Sequence, residues 1–284
     1  MTHKEKDGRL LVVGTPIGNL EDLSPRGRRA LSEADAIFCE DTRVTAKLAA
    51  RFGLPARRIS CPGPREDSRV RELLDRLGRG ETVALVSDAG MPTLSDPGAR
   101  LVAAAAEAGY PVLVIPGPSA PAAALSVSGL PTVPHLFLGF LPPRQGERLR
   151  FREALRDRPE TLVWFESPHR LHASLEEASR VLGPRRASVS RELTKLHEET
   201  VRGTLPEISR TLAARGPGRG EITVVVEGAG DRVAADLPAD EIDARIREAL
   251  AAGEALKTLS REIAKRSRRP AREIYARALE LSKS

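Results

Sequence analysis

The chain has 284 residues, is 40% hydrophobic and 30% charged, and carries a formal charge of +6 at pH 7. That length suits two compact domains at about 150 residues each, and that balance excludes a disordered or collagen-like chain. No apolar run approaches the ~20 residues of a membrane span and the opening MTHKEKDGRL has no signal-peptide core, so a cytoplasmic protein without a membrane partner is expected.

Aromatic residues make up only 3% of the chain, so its cores must be built from Ala, Leu and Val. Cys39 and Cys61 form no CxxC pair and read as small buried side chains in a reducing compartment. His169 and His172 share helical spacing but lack companion ligands, and no metal site is expected. The mild positive charge admits an anionic partner.

In chain order, LLVV near residue 11 predicts a strand. The helix SPRGRRALSEA follows, with Ser24 as its cap and Pro25 at its first position. AIFCED (36–41) predicts the second strand and TRVTAKLAARFG a helix closed by Gly53. TVALVSD reads as the third strand, and SDPGARLVAAAAEAG as a helix capped by Asp96, started by Pro97 and ended at Gly109. VLVI and the loop PGPSA then lead into PAAALSVSG. Strands alternating with helices predict an α/β domain with a largely parallel sheet over 8–120.

The Pro- and Gly-rich LPTVPHLFLGFLPPRQG reads as a boundary. TLVWFES, SPHRLHASLEEASRVLG, ASVSREL, TLPEISRTLAARG and EITVVVEG then resume the alternation. They predict a second α/β domain over 121–232, of the same architecture but without sequence repeat. Residues 238–284 show helical patterns only. Between Leu256 and Arg277, eight Lys/Arg face two Glu, a net +6. Two short helices about the Arg268-Arg269-Pro270 break have the outline of a helix-turn-helix, which suits a nucleic-acid contact or a solvated hairpin.

Three strand ends carry special loops: GTPIGNL (14–20), SDAGMPTLSDPG (87–98) and PGPSA (116–120). In an open parallel sheet, ligands bind beyond the carboxyl ends of the strands. The first loop is neither the G-x-G-x-x-G of dinucleotide binders nor a phosphate loop, and no loop holds Lys or Arg. Backbone groups, the hydroxyls of Thr15, Ser87, Thr93 and Ser119, and aspartate suit a ligand that is neutral to cationic at its reactive end. A nucleoside sulfonium such as S-adenosylmethionine fits that description.

The run LLVVGTPIGNLEDLSPRGRRALSEADAIFCEDTR, then VALVSDAGMPTLSDPGARLV, IPGPSA, FLGFLPP, ESPHRL, SRELTKLHEE and GEITVVVEG resembles, in order and spacing, the ribosomal RNA small subunit methyltransferase I family of the tetrapyrrole methylase superfamily. The resemblance implies methylation of a cytidine ribose 2′-hydroxyl in small-subunit (16S) ribosomal RNA, free or in the assembled 30S subunit. It implies S-adenosylmethionine folded in a cleft between two α/β domains, a homodimer, and a basic tail that binds RNA. Its motifs place cofactor contacts at Pro16, Ile17, Asp88, Gly90, Ser119 and Ala120 in the first domain. The second supplies Phe165, Glu166, Leu193 and Ile222, and for Phe165, Leu193 and Ile222 core packing is an equal reading. Glu40, Asp41 and Lys195 are the candidates for handling the hydroxyl proton. Arg43, Arg170, Arg191, Lys265, Arg268 and Arg269 are candidates for holding RNA. ISCPGPREDSR departs from the family's His-x-His-Asn-Glu string and keeps only Glu66. A precorrin or protein methyltransferase of the superfamily, or a non-catalytic RNA-binding protein, are the alternatives.

Overall fold

The structure is a computed structural model that describes residues 8–63, 66–215, 220–229, 239–251, 255–266 and 269–282. The first sheet joins β1 (Arg9–Val13), β2 (Ala36–Cys39), β3 (Arg57–Ser60), β4 (Thr82–Val86) and β5 (Val112–Ile115), all parallel, in the order β3-β2-β4-β1-β5. The connecting helices are α1 (Pro25–Glu33), α2 (Thr42–Phe52), α3 (Glu66–Gly78) and α4 (Ala99–Glu107). Successive strand residues feed opposite faces. Leu11 and Ile37 pack with Leu31 and Leu48, whereas Leu10 and Phe38 pack with Leu73 and Leu101 on the other side. Both faces are covered, as a parallel sheet requires.

Local chemistry sets the helix ends. The Ser24 hydroxyl accepts from Gly27 N at 2.9 Å, and Gly53 closes α2 at φ 64°. The expected Asp96 cap is not what starts α4. Gly98 is its N-cap, and the carboxylate of Glu66, reaching across from α3, accepts from Gly98 N at 3.0 Å and Arg100 N at 2.6 Å. β3 and α3 escape the sequence pattern. RRIS buries only Ile59 at a sheet edge, so it shows no apolar run.

The second sheet joins β6 (His135–Phe140), β7 (Thr161–Glu166), β8 (Arg186–Arg191), β9 (Glu199–Thr204) and β10 (Ile222–Val226) in the order β6-β7-β10-β8-β9. Only β6 and β7 run parallel; the other pairings are antiparallel. The same-architecture expectation is thereby corrected: the helical alternation recurs, the topology does not. β6 lies inside the stretch read as a boundary. α5 (Ala120–Ser128) covers one face, where Ala124 and Leu125 meet Val163 and Val225. α7 (Leu171–Leu182) and α8 (Leu205–Ala213) cover the other, packing Leu175 and Ile208 on Trp164 and Val224. α6 (Gln145–Glu153) docks on α7 through buried ions. Glu177 accepts from Arg148 Nε at 2.7 Å and from Arg152 Nη1 at 2.7 Å.

At the C-terminus, α9 (Ala239–Ala251), α10 (Leu256–Arg266) and α11 (Ala271–Leu281) share a small core of Ile242, Ile246, Leu259, Ile263 and Ile274. Arg277 Nε donates to Asp243 Oδ1 at 2.9 Å, tying α11 to α9. No helix among the described residues is long and apolar enough to cross a membrane.

Candidate functional site

Strand order gathers the special loops. Because β4, β1 and β5 are neighbours, the segments that follow them meet at one edge of the first sheet. Thr15 N donates to Gly90 O at 2.9 Å and Gly90 N to Thr15 O at 3.1 Å. The Thr15 hydroxyl adds a bond to Ser87 O at 3.2 Å. Gly14 passes so close to Gly117 that a Cβ on Gly14 would sit 2.6 Å from the Gly117 Cα. In the middle loop Thr93 (φ 73°) and Ser95 (φ 69°) hold left-handed backbone, a conformation that costs a side-chain-bearing residue about 1–3 kcal/mol.

These loops form one wall of a cleft of about 330 Å³ between the domains. The first domain lines it with Ile17, Gly90, Ser119 and Ala120, and the second with Phe165, Glu166 and Ile222. The mixed topology of the second sheet makes this wall. The end of β7 and the start of β10 sit side by side, Glu166 opposite Ile222, because those strands are antiparallel. Pro16 and Asp88 line a separate, adjoining pocket of about 150 Å³ together with Val44, Thr45 and Lys47. Leu193 is buried behind the wall, packed with Ile17, Val163 and Val225. Sequence reasoning did not assign Met91, Asp96 or Phe140 to the site, yet all three line the cleft. All three stand inside the quoted loop and FLGFLPP strings, but only the folded chain turns them toward a common space.

The cleft is apolar with acidic punctuation. Among the described residues none of its lining side chains is Lys or Arg, while Asp96, Glu166 and Glu221 are present. Burial, then the neighbouring Asp88, raises the Asp96 carboxyl above its ordinary range. Glu166 Oε1 accepts from Ser167 N at 2.9 Å and faces Arg170 Nη2 at 3.1 Å; its buried Oε2 has no hydrogen-bond partner among the described residues. That side chain is wholly buried and shares the face of β7 that carries Trp164, so Glu166 borders the cleft without opening its carboxylate to it. A nucleoside sulfonium fits this donor set: planar base against apolar walls, hydroxyl and ammonium donors for the carboxylates, and no phosphate needing a cation.

At the end of β2, Asp41 caps α2 by accepting from Arg43 N at 2.8 Å and binds the Arg43 guanidinium at 2.6 Å. Those hydrogen bonds from Arg43 hold the Asp41 carboxyl down at about 2. Such a carboxylate is a weak base. Its neighbour Glu40 is pushed up instead, by burial first and then by Asp88, Asp96 and Asp41. Asp88 Oδ1 accepts from Asp41 N at 3.0 Å, which locks this corner to the middle loop. Lys195 is held by Glu192 at 2.8 Å and Glu221 at 3.4 Å. Burial favours its neutral form, but those carboxylates win and raise its pKa, keeping it cationic. Its loop latches the domains together, with Asn19 N donating to the Thr194 hydroxyl at 3.1 Å.

The structure disperses the RNA candidates. Arg43 is largely exposed at the start of α2. Arg170 leans on Glu166, and Arg191 lies 3.7 Å from Glu199. Arg269 pairs with Glu273 at 3.0 Å at the start of α11. Lys265 falls on α10, but its side chain, and Arg268 altogether, lie outside the described residues.

Comparison with known proteins agrees with this geometry. The family of tetrapyrrole (corrin/porphyrin) methylases matches residues 9–209. The ribosomal RNA small subunit methyltransferase I of Mesorhizobium japonicum is 45% identical over 273 residues, 96% of this chain and 92% of that one. The protein of the same name from Halalkalibacterium halodurans is 41% identical over 81% of this chain and 79% of its own. Among solved structures, the methyltransferase CobJ superposes with a TM-score of 0.59 at 23% identity, over 78% of this chain and 95% of that one. Diphthine synthase does so with a TM-score of 0.59 at 15% identity, over 78% and 90%; at such identities the likeness is one of fold. The chain therefore belongs to the ribosomal RNA small subunit methyltransferase I family, within the tetrapyrrole methylases, and is a methyltransferase.

Proposed function

We propose that the chain methylates the ribose 2′-hydroxyl of a cytidine in small-subunit (16S) ribosomal RNA. The observation that carries the reading is the interdomain cleft, lined among the described residues by no Lys or Arg and by the acidic Asp96 and Glu221, in a chain of this family. The methyl donor is S-adenosylmethionine, which when bound supplies an electrophilic methyl on a positively charged sulfur. Ile17, Gly90, Ser119, Ala120, Phe165 and Ile222 would form the walls that orient it, with Glu166 bordering them, and Asp96 and Glu221 would accept from its donors.

The protein's main contribution is alignment of the attacking oxygen with the methyl–sulfur axis, for which positioning alone is worth up to about 7–11 kcal/mol. Glu40 would take the proton that the ribose hydroxyl gives up when the methyl group is transferred to it. Glu40 is the better of the paired carboxylates because Arg43 stabilises the ionised form of Asp41. Arg43, Arg170, Arg191 and the basic tail contact RNA phosphates. The reading includes a homodimer acting on ribosomes in the cytoplasm; the exposed Leu113 and Val114 on the edge strand β5 supply an apolar surface for a second copy.

The test is mass spectrometry of ribosomal RNA after incubation of unmethylated small subunits with purified protein and S-adenosylmethionine. A sugar-methylated cytidine is the expected product. A base-methylated product, or methyl transfer to a tetrapyrrole and not to RNA, would overturn the reading.

A further inference from the structure

At the outer rim of the cleft two segments of unusual backbone come together. β6 pairs in register with β7 at Phe137 opposite Val163 and at Phe140 opposite Phe165, so β6 carries one more residue than its partner between those points. In an unbroken strand, positions three apart face opposite sides. The bulge cancels that alternation, and both rings lie against Phe165, with centroids 5.1 Å and 5.3 Å away. Gly139 makes the turn at φ 62°, and a side chain there would meet the Ser95 hydroxyl. On the facing segment, left-handed Thr93 and Ser95 bracket Leu94 and present it to the same cleft.

The products of this strain are two apolar side chains kept out of the core. Phe140 is 59% exposed and Leu94 45% exposed, whereas Ile17 and Ile222 deeper in the cleft are 5% and 2% exposed. Bulges beside active sites commonly re-aim a side chain, and left-handed non-glycine residues persist where a function holds them. In a chain with only six Phe, two Tyr and one Trp, an aromatic ring directed into solvent at a cleft mouth is a platform for a flat partner.

We infer that Phe140 and Leu94 form a stacking shelf for an unstacked nucleobase of the RNA substrate, so that the target nucleotide is held at the mouth while its ribose reaches the methyl donor. This rests on the proposed function. The occupant is the RNA base, not the adenine of the methyl donor. A polymer approaching from solvent meets the exposed rim first, while the small donor has the buried inner walls. Base stacking on an aromatic ring is tolerant of sequence and needs no cation, which suits a cleft lined by no Lys or Arg among the described residues.

The test compares wild type with Phe140→Ala, Phe140→Trp and Leu94→Ala, using unmethylated small subunits as substrate and calorimetric titration with S-adenosylmethionine. F140A is expected to raise KM for the subunits roughly 10- to 100-fold. Its affinity for S-adenosylmethionine should stay within about twofold of wild type. F140W should restore KM, and its emission should be quenched by RNA. L94A should shift KM in the same direction as F140A, by less. A parallel loss of S-adenosylmethionine affinity would assign the shelf to the adenine and overturn the inference, as would an unchanged KM in F140A. Wild-type activity in the same assay reports separately on the proposed reaction. If wild type leaves the subunits unmethylated, the reading of the function fails and the inference with it.

Discussion

Replacing Glu66 with Ala tests whether this residue, the remnant of a motif that the family carries in another form, is structural or touches RNA. Its side chain is buried, with the residue 8% exposed, and one oxygen accepts from both Gly98 N and Arg100 N at the start of α4. The N-cap there is Gly98, which has no side chain of its own to offer. Removing the carboxylate strands the buried Gly98 N–H, at about 1–3 kcal/mol. It also removes a negative charge from a helix N-terminus, at about 0.3–1 kcal/mol. Arg100 is exposed at the surface, and water can replace its bond. The total is about 1–4 kcal/mol, which at about 2–4 °C per kcal/mol for a chain of this size lowers Tm by roughly 3–16 °C. Glu66→Gln keeps an acceptor and should lose about 1 kcal/mol or less. Differential scanning calorimetry measures both, and methylation at saturating RNA well below Tm should be little changed. An E66A protein that melts within about 1 °C of wild type but has lost RNA methylation would refute the capping argument and return Glu66 to the substrate site.

Glu40→Gln should lower kcat about 100-fold or more without lowering Tm, since a carboxyl whose pKa is raised by burial destabilises the fold when ionised. In the wild type kcat/KM should fall on the acid side at a pH above the ordinary carboxylate range; loss of neither rate nor acid limb in E40Q would remove Glu40 from the mechanism. Glu177→Gln leaves two buried guanidiniums short of a countercharge and should cost about 3–5 kcal/mol in urea unfolding. Burial raises the Glu177 pKa, but the bonds from Arg148 and Gln145 outweigh it and bring the folded value below 4.5. Its stabilisation is therefore complete above that pH and is lost as pH falls through the folded value, so E177Q should flatten the acid end of the stability profile; an unchanged profile would contradict this sign. Deleting residues 238–284 should weaken RNA binding and flatten its dependence on salt while leaving S-adenosylmethionine affinity intact, and an unchanged salt slope would separate the tail from RNA.

The legible parts of this fold were those written in local chemistry. Ser24, Pro25 and Gly53 mark helix ends by their own side chains or backbone freedom, and the structure uses them so. Asp96 misled because a cap can come from far away in sequence: Glu66 stands 32 residues before Gly98, and no local pattern signals that bond. β3 was lost because an edge strand with two exposed arginines needs no apolar alternation.

The site divides along the same line. Glycine- and proline-rich loops announced that the first domain holds a ligand, since their composition is a local property. Which loops touch is set by strand order, and β2-β4-β1-β5 places Asp41 beside Asp88 and Thr15 beside Gly90 although 47 to 75 residues separate such neighbours. The second wall is harder still to read. Phe165, Glu166 and Ile222 lie in strands that would suit a core equally well, and what turns them into a wall is the antiparallel pairing of β7 with β10, which brings the end of one to the start of the other. A parallel arrangement, like that of the first sheet, would have put Ile222 at the far end from Glu166. The cleft therefore depends on strand direction, in which the two sheets differ, and alternation of strands and helices carries no information about it.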